Sequence, residues 1–335
     1  MANDVTVVIE LSKGSPRVGF GYPLIFAGAQ GNTVPYTEVG SLEEIVKAGF
    51  ENTSEVYNAA RLVFMQSNAP TKLAVCASTE NTVAALPSVL KEGWRQLIVV
   101  SDGVEGESAI NEIAAYIEDC GKHAVYFAAV NSENTNVLTA LAGFKRTVAV
   151  VYDSVDTTFP EAAVVGATAG YEAGSITYKN MILKGVTAQD FTDAEIEAIH
   201  DKNAITILKK AGDIVTSEGI CSSGEYVDII DSMDYILEQI EFQSQSLLNR
   251  VGKLSYDNTG ISQLEAVVVS VLKDAANNGM IAINDEGDYD YTVNFLPRSE
   301  CSPADVSTRH YSGGNFSFVL AGAIHTARIN GTISA

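Results

Sequence analysis

Positive charge is scarce in this chain: 21 lysines and arginines stand against 42 aspartates and glutamates in 335 residues, for a net charge of −21. Such a surface repels phosphate backbones and anionic lipids, which excludes direct nucleic acid binding as the main activity. No apolar run approaches the ~20 residues needed to cross a bilayer, so no membrane insertion is expected. Met1 to Gly14 also lacks the basic start and apolar stretch of a standard export signal. The four cysteines, Cys76, Cys120, Cys221 and Cys301, are far apart and form neither a CxxC pair nor a Cys/His zinc motif. Reduced, mostly buried thiols and synthesis in a cytoplasm are the expectation. Neither GxxxxGK[ST] nor a GxGxxG opening a helix after the first strand is present, so no cofactor is expected. None of the histidines, His123, His200, His310 and His325, forms HExxH or lies near a GxSxG turn.

What is present is a globular composition, 46% hydrophobic and 19% charged, long enough for a sizeable core. Between Tyr22 and Thr168 short apolar runs alternate with amphipathic segments, the signature of a mainly parallel α/β sheet covered by helices on both faces. Strands are expected at Leu24–Ala29, Lys72–Ala77, Gln96–Ser101, Ala124–Val130, Thr147–Tyr152 and Ala162–Gly166. Helices are expected near Ser41–Ala48, Ser54–Gln66, Thr82–Lys91, Glu107–Asp119 and Asn134–Leu141. Ser41-Leu42-Glu43-Glu44 reads as a capping box.

From Gly174 the pattern becomes α+β. Thr192-Asp193-Ala194-Glu195 is a second capping box, opening a helix expected to run to Lys209 and Lys210 and stop at Gly212. Ile229, Ile230, Met233, Ile236, Leu237 and Ile240 recur at threes and fours on a longer helix, and Ser262 can cap a further helix that Gly279 ends. Met280–Asn284 and Tyr289–Phe295 flank Asp285-Glu286-Gly287-Asp288 as a β-hairpin.

Four features invite a chemical reading, and each has a simpler one. Gly166, Gly170 and Gly174 suit turns and close packing. Asp102 and Gly103 follow a strand and precede a helix, where open α/β sheets bind ligands, but the same residues make strand-to-helix turns. The acidic stretch Asp285, Glu286, Asp288 and Asp290 lacks EF-hand spacing and reads as a solvated tip. Gly219-Ile220-Cys221-Ser222-Ser223-Gly224 has the wrong order for a nucleophile loop and reads as a Gly/Ser turn.

Both ends read as strands with no local partner. Val5, Val7, Ile9 and Leu11 alternate with more polar positions at the start, and Ala327, Ile329, Gly331 and Ile333 do so at the end. Charge is uneven: residues 1–22 are neutral, residues 298–335 carry Arg298, Arg309 and Arg328 against Glu300 and Asp305, and the middle holds −22.

From Gly166 to Ala335 the chain resembles the contractile tail sheath proteins of bacteriophages and phage-tail-like particles. The resemblance lies in ordered signposts: Gly174-Ser175-Ile176-Thr177-Tyr178-Lys179, Leu183-Lys184-Gly185-Val186-Thr187, Lys202-Asn203-Ala204, Glu218-Gly219 and Ser223-Gly224-Glu225-Tyr226-Val227-Asp228. Asp234-Tyr235-Ile236, Asp305 to Arg309, Gly322-Ala323-Ile324-His325 and Ile329-Asn330-Gly331-Thr332-Ile333 complete the series. Pro23-Leu24-Ile25-Phe26-Ala27-Gly28 and Val39-Gly40-Ser41-Leu42-Glu43 resemble the family's early strand and helix, while its common Pro-Gly-Val-Tyr opening is missing.

The resemblance implies an N-terminal arm over 1–22, an α/β domain over 23–172, the sheath's α+β domain over 173–297, and a C-terminal segment over 298–335 ending in an exchanged strand. It implies a structural, non-enzymatic subunit of a six-fold helical sheath. That sheath surrounds a tail tube, meets baseplate and terminator proteins, and contracts to drive the tube through a cell envelope; it is assembled in a bacterial host cytoplasm as part of a virion tail or similar particle. The arms then add to neighbours' sheets through main-chain hydrogen bonds, and 22 residues at about 3.3 Å each reach roughly 70 Å. Arg298, Arg309 and Arg328 become candidate tube or intersubunit contacts. The competing expectation is a small-molecule-binding α/β protein or enzyme with a site near Asp102.

Overall fold

A computed structural model describes residues 21–101 and 107–326. The chain starts with β1 (Tyr22–Ala27), β2 (Val34–Val39), α1 (Leu42–Ala48), α2 (Glu55–Phe64), β3 (Leu73–Ala77) and α3 (Thr82–Ala85). It continues through β4 (Trp94–Ser101), α4 (Glu107–Asp119), β5 (Val125–Asn131), α5 (Val137–Leu141), β6 (Thr147–Tyr152), α6 (Val155–Thr158) and α7 (Pro160–Thr168). Then come α8 (Asp193–His200), β7 (Ile205–Lys210), β8 (Asp213–Thr216), α9 (Val227–Arg250), α10 (Asn258–Asn277), β9 (Tyr291–Phe295), α11 (Pro303–Thr308) and β10 (Gly314–Phe318).

Eight strands form one sheet in the order β2-β3-β1-β4-β5-β6-β7-β8, parallel except for the edge pairs β2·β3 and β7·β8. All of β3 and β6 is buried, as strands covered on both faces must be. Successive residues alternate between two cores: Ile25, Val148 and Val150 join one with α2 and α7, and Leu24, Phe26, Ala149 and Val151 join the other with α4 and α5. Local chemistry places the helices. Ser41 and Ser54 accept from backbone N–H groups at the starts of α1 and α2, and Thr192 with Glu195 completes the capping box of α8.

The expected mixed α/β architecture with a mainly parallel sheet is present, and several elements differ from the expectation. Ala162–Gly166 lies in α7 and is helical. All nine residues of α7 are buried, so it has no polar face to show a helical period. Left-handed Phe159 and then Pro160 start it. Gly166 and Gly170 serve close packing, because a Cβ on them would sit 2.6 Å from Val63 O and 1.9 Å from Asn68 O. The helix expected to reach Lys210 ends at His200, and Ile205–Lys210 is β7 instead. Ala211 (φ 50°) and Gly212 (φ 101°) then form the two-residue turn into β8. A glycine after two lysines fits a hairpin turn as well as a helix stop.

β2, an edge strand containing Pro35, was not expected; proline is tolerated there because an edge N–H need not enter the ladder. The helix beyond α9 begins at Asn258 with Asp257 as its cap, not at Ser262. Helix α3 is short and yields to a 3₁₀ turn over Leu86–Val89, and the segment near Asn134 is a 3₁₀ turn over Ser132–Asn134 followed by α-helix only from Val137. The acidic tip closes the expected hairpin, with Asn284 N donating to Asp288 O and Asp290 N to Ala282 O, both at 2.8 Å, but the hairpin is short and the ladder partner of β9 is β10. The division expected between residues 172 and 173 falls inside one sheet, since β7 and β8 extend it beyond that point.

Glu161, in the first turn of α7, is 3% exposed, and its Oε2 has no hydrogen-bond partner. Burial pushes its pKa up to about 8. The folded state therefore keeps a proton that the unfolded chain releases from about pH 4.5 upward, and stability falls as pH rises toward 8. Glu161→Gln should remove a slope approaching ~1.4 kcal/mol per pH unit. Urea unfolding from pH 4.5 to 9 checks this: the variant gains over the parent near pH 8 and little near pH 4.5.

Candidate functional site

Open α/β sheets bind ligands where the strand order reverses, at the carboxyl ends of the strands. Here that point lies between β1 and β4. Its lip is closed by protein hydrogen bonds: Gly28 N donates to Ser101 O at 2.7 Å, and Gln30 Nε2 donates to Gly28 O at 2.9 Å and Ser101 Oγ at 3.0 Å. Asp102 and Gly103 lie outside the described residues.

Two surface cavities lie elsewhere along the carboxyl ends of the strands, one beside β1 and β3 and one beside β5 and β6. One, of about 250 Å³, is lined by Phe26, Val34, Tyr36, Cys76 and Val89; burial pushes the Cys76 thiol up to about 11, away from a reactive thiolate. The other, of about 370 Å³, is lined by Glu133, Phe191, Glu195, Ile199 and Lys202, with Glu195 engaged in the α8 capping box.

His200 Nε2 lies 2.9 Å from Ser217 Oγ, a pairing that in an open cleft would suggest an activated nucleophile. Ser217 is 1% exposed, however, and its Oγ also accepts from Thr206 N at 2.9 Å, so the serine is buried and engaged while His200 is only half-buried. Gly219–Gly224 is a turn closed by Gly224 N donating to Cys221 O. Among the described residues no group of three or more His, Cys, Asp or Glu could hold a metal ion.

The densest polar constellation sits at the opposite, amino edge of the sheet. Arg95 near the start of β4 and Arg146 just before β6 converge on Asp231 and Asp234 of α9. Arg95 Nη1 donates to Asp234 Oδ2 at 3.0 Å and to His123 O at 2.7 Å, and its Nη2 pairs with Asp231 Oδ1. Arg146 grips Asp234 with both Nη atoms at 2.8 and 2.9 Å, and His123 Nδ1 lies 2.8 Å from Asp234 Oδ1. Tyr178 donates to Asp231 Oδ2 at 2.7 Å.

Arg95 and Asp234 are 2% and 0% exposed. Burial opposes ionisation of Asp234, but the Arg146 hydrogen bonds and the charge of Arg95 outweigh it and hold its pKa near about 2. Each acid is matched and the cluster is closed, so its work is to fasten α9 to the sheet. Sequence reading missed it, although an arginine inside the apolar stretch Trp94-Arg95-Gln96-Leu97 and two acids three apart beside Ile230 were its trace.

The second surface feature is the sheet of β9 and β10. Leu296 N donates to Gly313 O and Val319 N to Asp290 O, so even-numbered residues of β9 face its partner with their backbone groups. Those of Val293 and Phe295 on β9, and of Phe316 and Phe318 on β10, point outward along two edges. The eight-stranded sheet protects its β8 edge: Leu183 N donates to Ile214 O and Thr216 N to Met181 O.

Arg298 and Arg309 are exposed in the long connection between β9 and β10, which is tied to α10 by Arg298 N donating to Asn258 Oδ1 and Tyr256 Oη donating to His310 O. Of the other expected site residues, Val5, Val7, Ile9, Leu11, Ala327, Arg328, Ile329, Gly331 and Ile333 lie outside the described residues.

A doubly covered eight-stranded sheet, with an α9·α10 pair and a small two-edged sheet attached, defines a fold shared with contractile sheath proteins. The chain is similar to the anti-feeding prophage at TM-score 0.70, both in its six-fold symmetrised baseplate (14% identity) and in its helical sheath in the contracted state (15%). Each match covers 100% of this chain and 99% of the other. It is similar to the PVC sheath complex of an extracellular contractile injection system in the contracted state, at TM-score 0.68 and 12% identity over 100% and 98% of the two chains. It is also similar to a sheath tail protein from Desulfitobacterium hafniense, at TM-score 0.61 and 10% identity over 95% and 100%. No family model and no curated protein sequence matches the chain.

Breaking the buried cluster tests its role. Asp234→Asn leaves Arg95 and Arg146 without their shared counter-charge and should cost ~3–5 kcal/mol in urea unfolding at pH 7. Because the Asp234 pKa is lowered, its contribution is present above the unfolded carboxylate range and fades as pH falls toward 2.

Proposed function

We propose that the protein is the structural subunit of a contractile tail sheath. The observation that carries this is the similarity of fold along essentially the entire chain, including the α9–β10 region, to sheath components of contractile systems. The subunit assembles six to a ring in a helical stack around a tail tube, between baseplate and terminator proteins, in a virion tail or similar particle made in the bacterial cytoplasm. Its task is mechanical and not enzymatic: a metastable extended stack shortens and drives the tube through a cell envelope.

The assignment gives the end strands and the two-edged sheet a common purpose. Residues 1–22, with Val5, Val7, Ile9 and Leu11, and the terminal strand with Ala327, Ile329, Gly331 and Ile333, add to the β9–β10 sheets of neighbouring copies. The α/β part over 23–172 and the α+β part over 173–297, joined through one sheet, move together between these tethers, and residues 298–335 carry the C-terminal link. Main-chain hydrogen bonds at about 1 kcal/mol each net hold such a tether without fixing the angle between bodies. A head-to-tail contact of this kind makes an open helical polymer. Arg298, Arg309 and Arg328, set against a chain of net charge −21, meet acidic surface on the tube or on a neighbour.

Truncation tests the reading. The chain without Ala327–Ala335 should remain folded by circular dichroism and sediment as a small species, while the full chain forms ordered tubes by negative-stain microscopy. Ordered tubes from the truncated chain would remove the C-terminal strand from the assignment, and turnover lost on Asp102→Ala would instead favour a ligand site.

A further inference from the structure

Beyond β10 the ladder continues through Val319 and ends with Ala321 N donating to Met280 O at 2.9 Å, and the chain then runs exposed over Gly322, Ala323 and Ile324. Ile324 is 89% exposed, whereas the side chain of the next residue, His325, is 11% exposed. One side chain is thus inserted in an otherwise outlying segment. Its socket is built by three stretches distant in sequence. His325 Nε2 lies 2.7 Å from Thr177 Oγ1, and its ring meets that of Tyr226 edge-on at 4.6 Å between centroids. Its Nδ1 lies 3.8 Å from Glu218 Oε2, a carboxylate already paired through Oε1 with Lys179 Nζ. Thr177, Glu218 and Tyr226 all precede α9 in the chain, outside the β9–β10 sheet.

We propose that His325 is a releasable anchor that sets the point from which the C-terminal tether leaves the body, giving the tether two lengths. The role of the tether rests on the sheath reading; the anchor itself does not. With His325 seated, the chain departs at residue 325. With it withdrawn, the last fixed point is Ala321, and the four residues 322–325 add about 13 Å of reach.

The anchor is built for release. It consists of one hydrogen bond, one ring contact and the longer approach of Nδ1 to Glu218, Nδ1 makes no hydrogen bond among the described residues, and a Cβ at Gly322 would meet nothing within 4 Å. The neighbouring ladder bonds therefore do not depend on it. A link that must stay joined while neighbouring bodies shift needs such slack, and an added strand alone has none.

Thermolysin digestion of the full-length chain tests this by its rate of cutting before Ile324, read by mass spectrometry. His325→Ala should be cut about tenfold faster, as the loss of one to two hydrogen-bond equivalents implies when cutting follows local opening. The thermal midpoint should stay unchanged. Thr177→Val, which leaves the cleaved segment untouched, should speed the same cut, and it decides the matter if His325→Ala lowers global stability. Cutting at the parental rate in Thr177→Val would overturn the anchor. Tube formation is scored separately: faster cutting without tubes from the parent chain keeps the anchor and removes the sheath reading.

Discussion

The buried cluster of Arg95, Arg146, Asp231 and Asp234 is the constraint on which the rest of the architecture depends. It ties the first half of α9 to the amino edge of the parallel sheet, and the second half of α9 packs with α10, which supports β9 and β10. Removing four charged groups from water is costly, and the attraction repays that cost only because each carboxylate is met by several donors in good geometry. A hydrophobic seam could supply similar stability. What the charges add is a fixed register between α9 and the sheet, because Asp234 fits only where Arg95, Arg146 and His123 all reach it. The orientation of the two-edged sheet relative to the body follows from that register.

The sheath proposal asks for a rigid body that moves as a whole, with tethers at its margins. At the carboxyl edge of the parallel sheet, where α/β proteins usually do chemistry, Gln30 bridges Gly28 and Ser101 at the strand-order reversal, and Ser217 is buried within the fold. Among the described residues, open strand edges lie on β2, at one margin of the eight-stranded sheet, and on β9 and β10. Long unpaired edges invite aggregation, and those of β9 and β10 are short, with Thr292, Asn294, Asn315 and Ser317 on the solvent side. The strongly acidic surface adds a general repulsion between copies, so association is left to the few places where strand addition or local positive charge favours it.

Much of this was legible in the sequence, for reasons that also explain the misses. Apolar runs such as Thr147–Tyr152 and the capping box at Thr192 carry their structure locally and emerged as expected, whereas at Ser41 only the serine half of the box forms and Glu44 accepts from Gly40 N instead. α7 was misread because a helix buried on every side has no amphipathic period. β7 was misread because Gly212 serves a hairpin turn and a helix stop equally well. The Arg95 cluster was overlooked because its members are spread from residue 95 to 234, and only the fold brings them together. The socket of His325 is hidden for the same reason, with Thr177, Glu218 and Tyr226 far from it along the chain.

The account stands or falls on what occupies the edges of the β9–β10 sheet when copies assemble. A cryo-electron microscopy reconstruction of the assembled protein measures it directly. The account predicts a hollow six-fold helical tube in which strands from neighbouring copies extend the β9–β10 sheet along Val293 and Phe295 or along Phe316 and Phe318. A closed oligomer, or a tube in which that sheet stays two-stranded and copies meet through other surfaces, would contradict it.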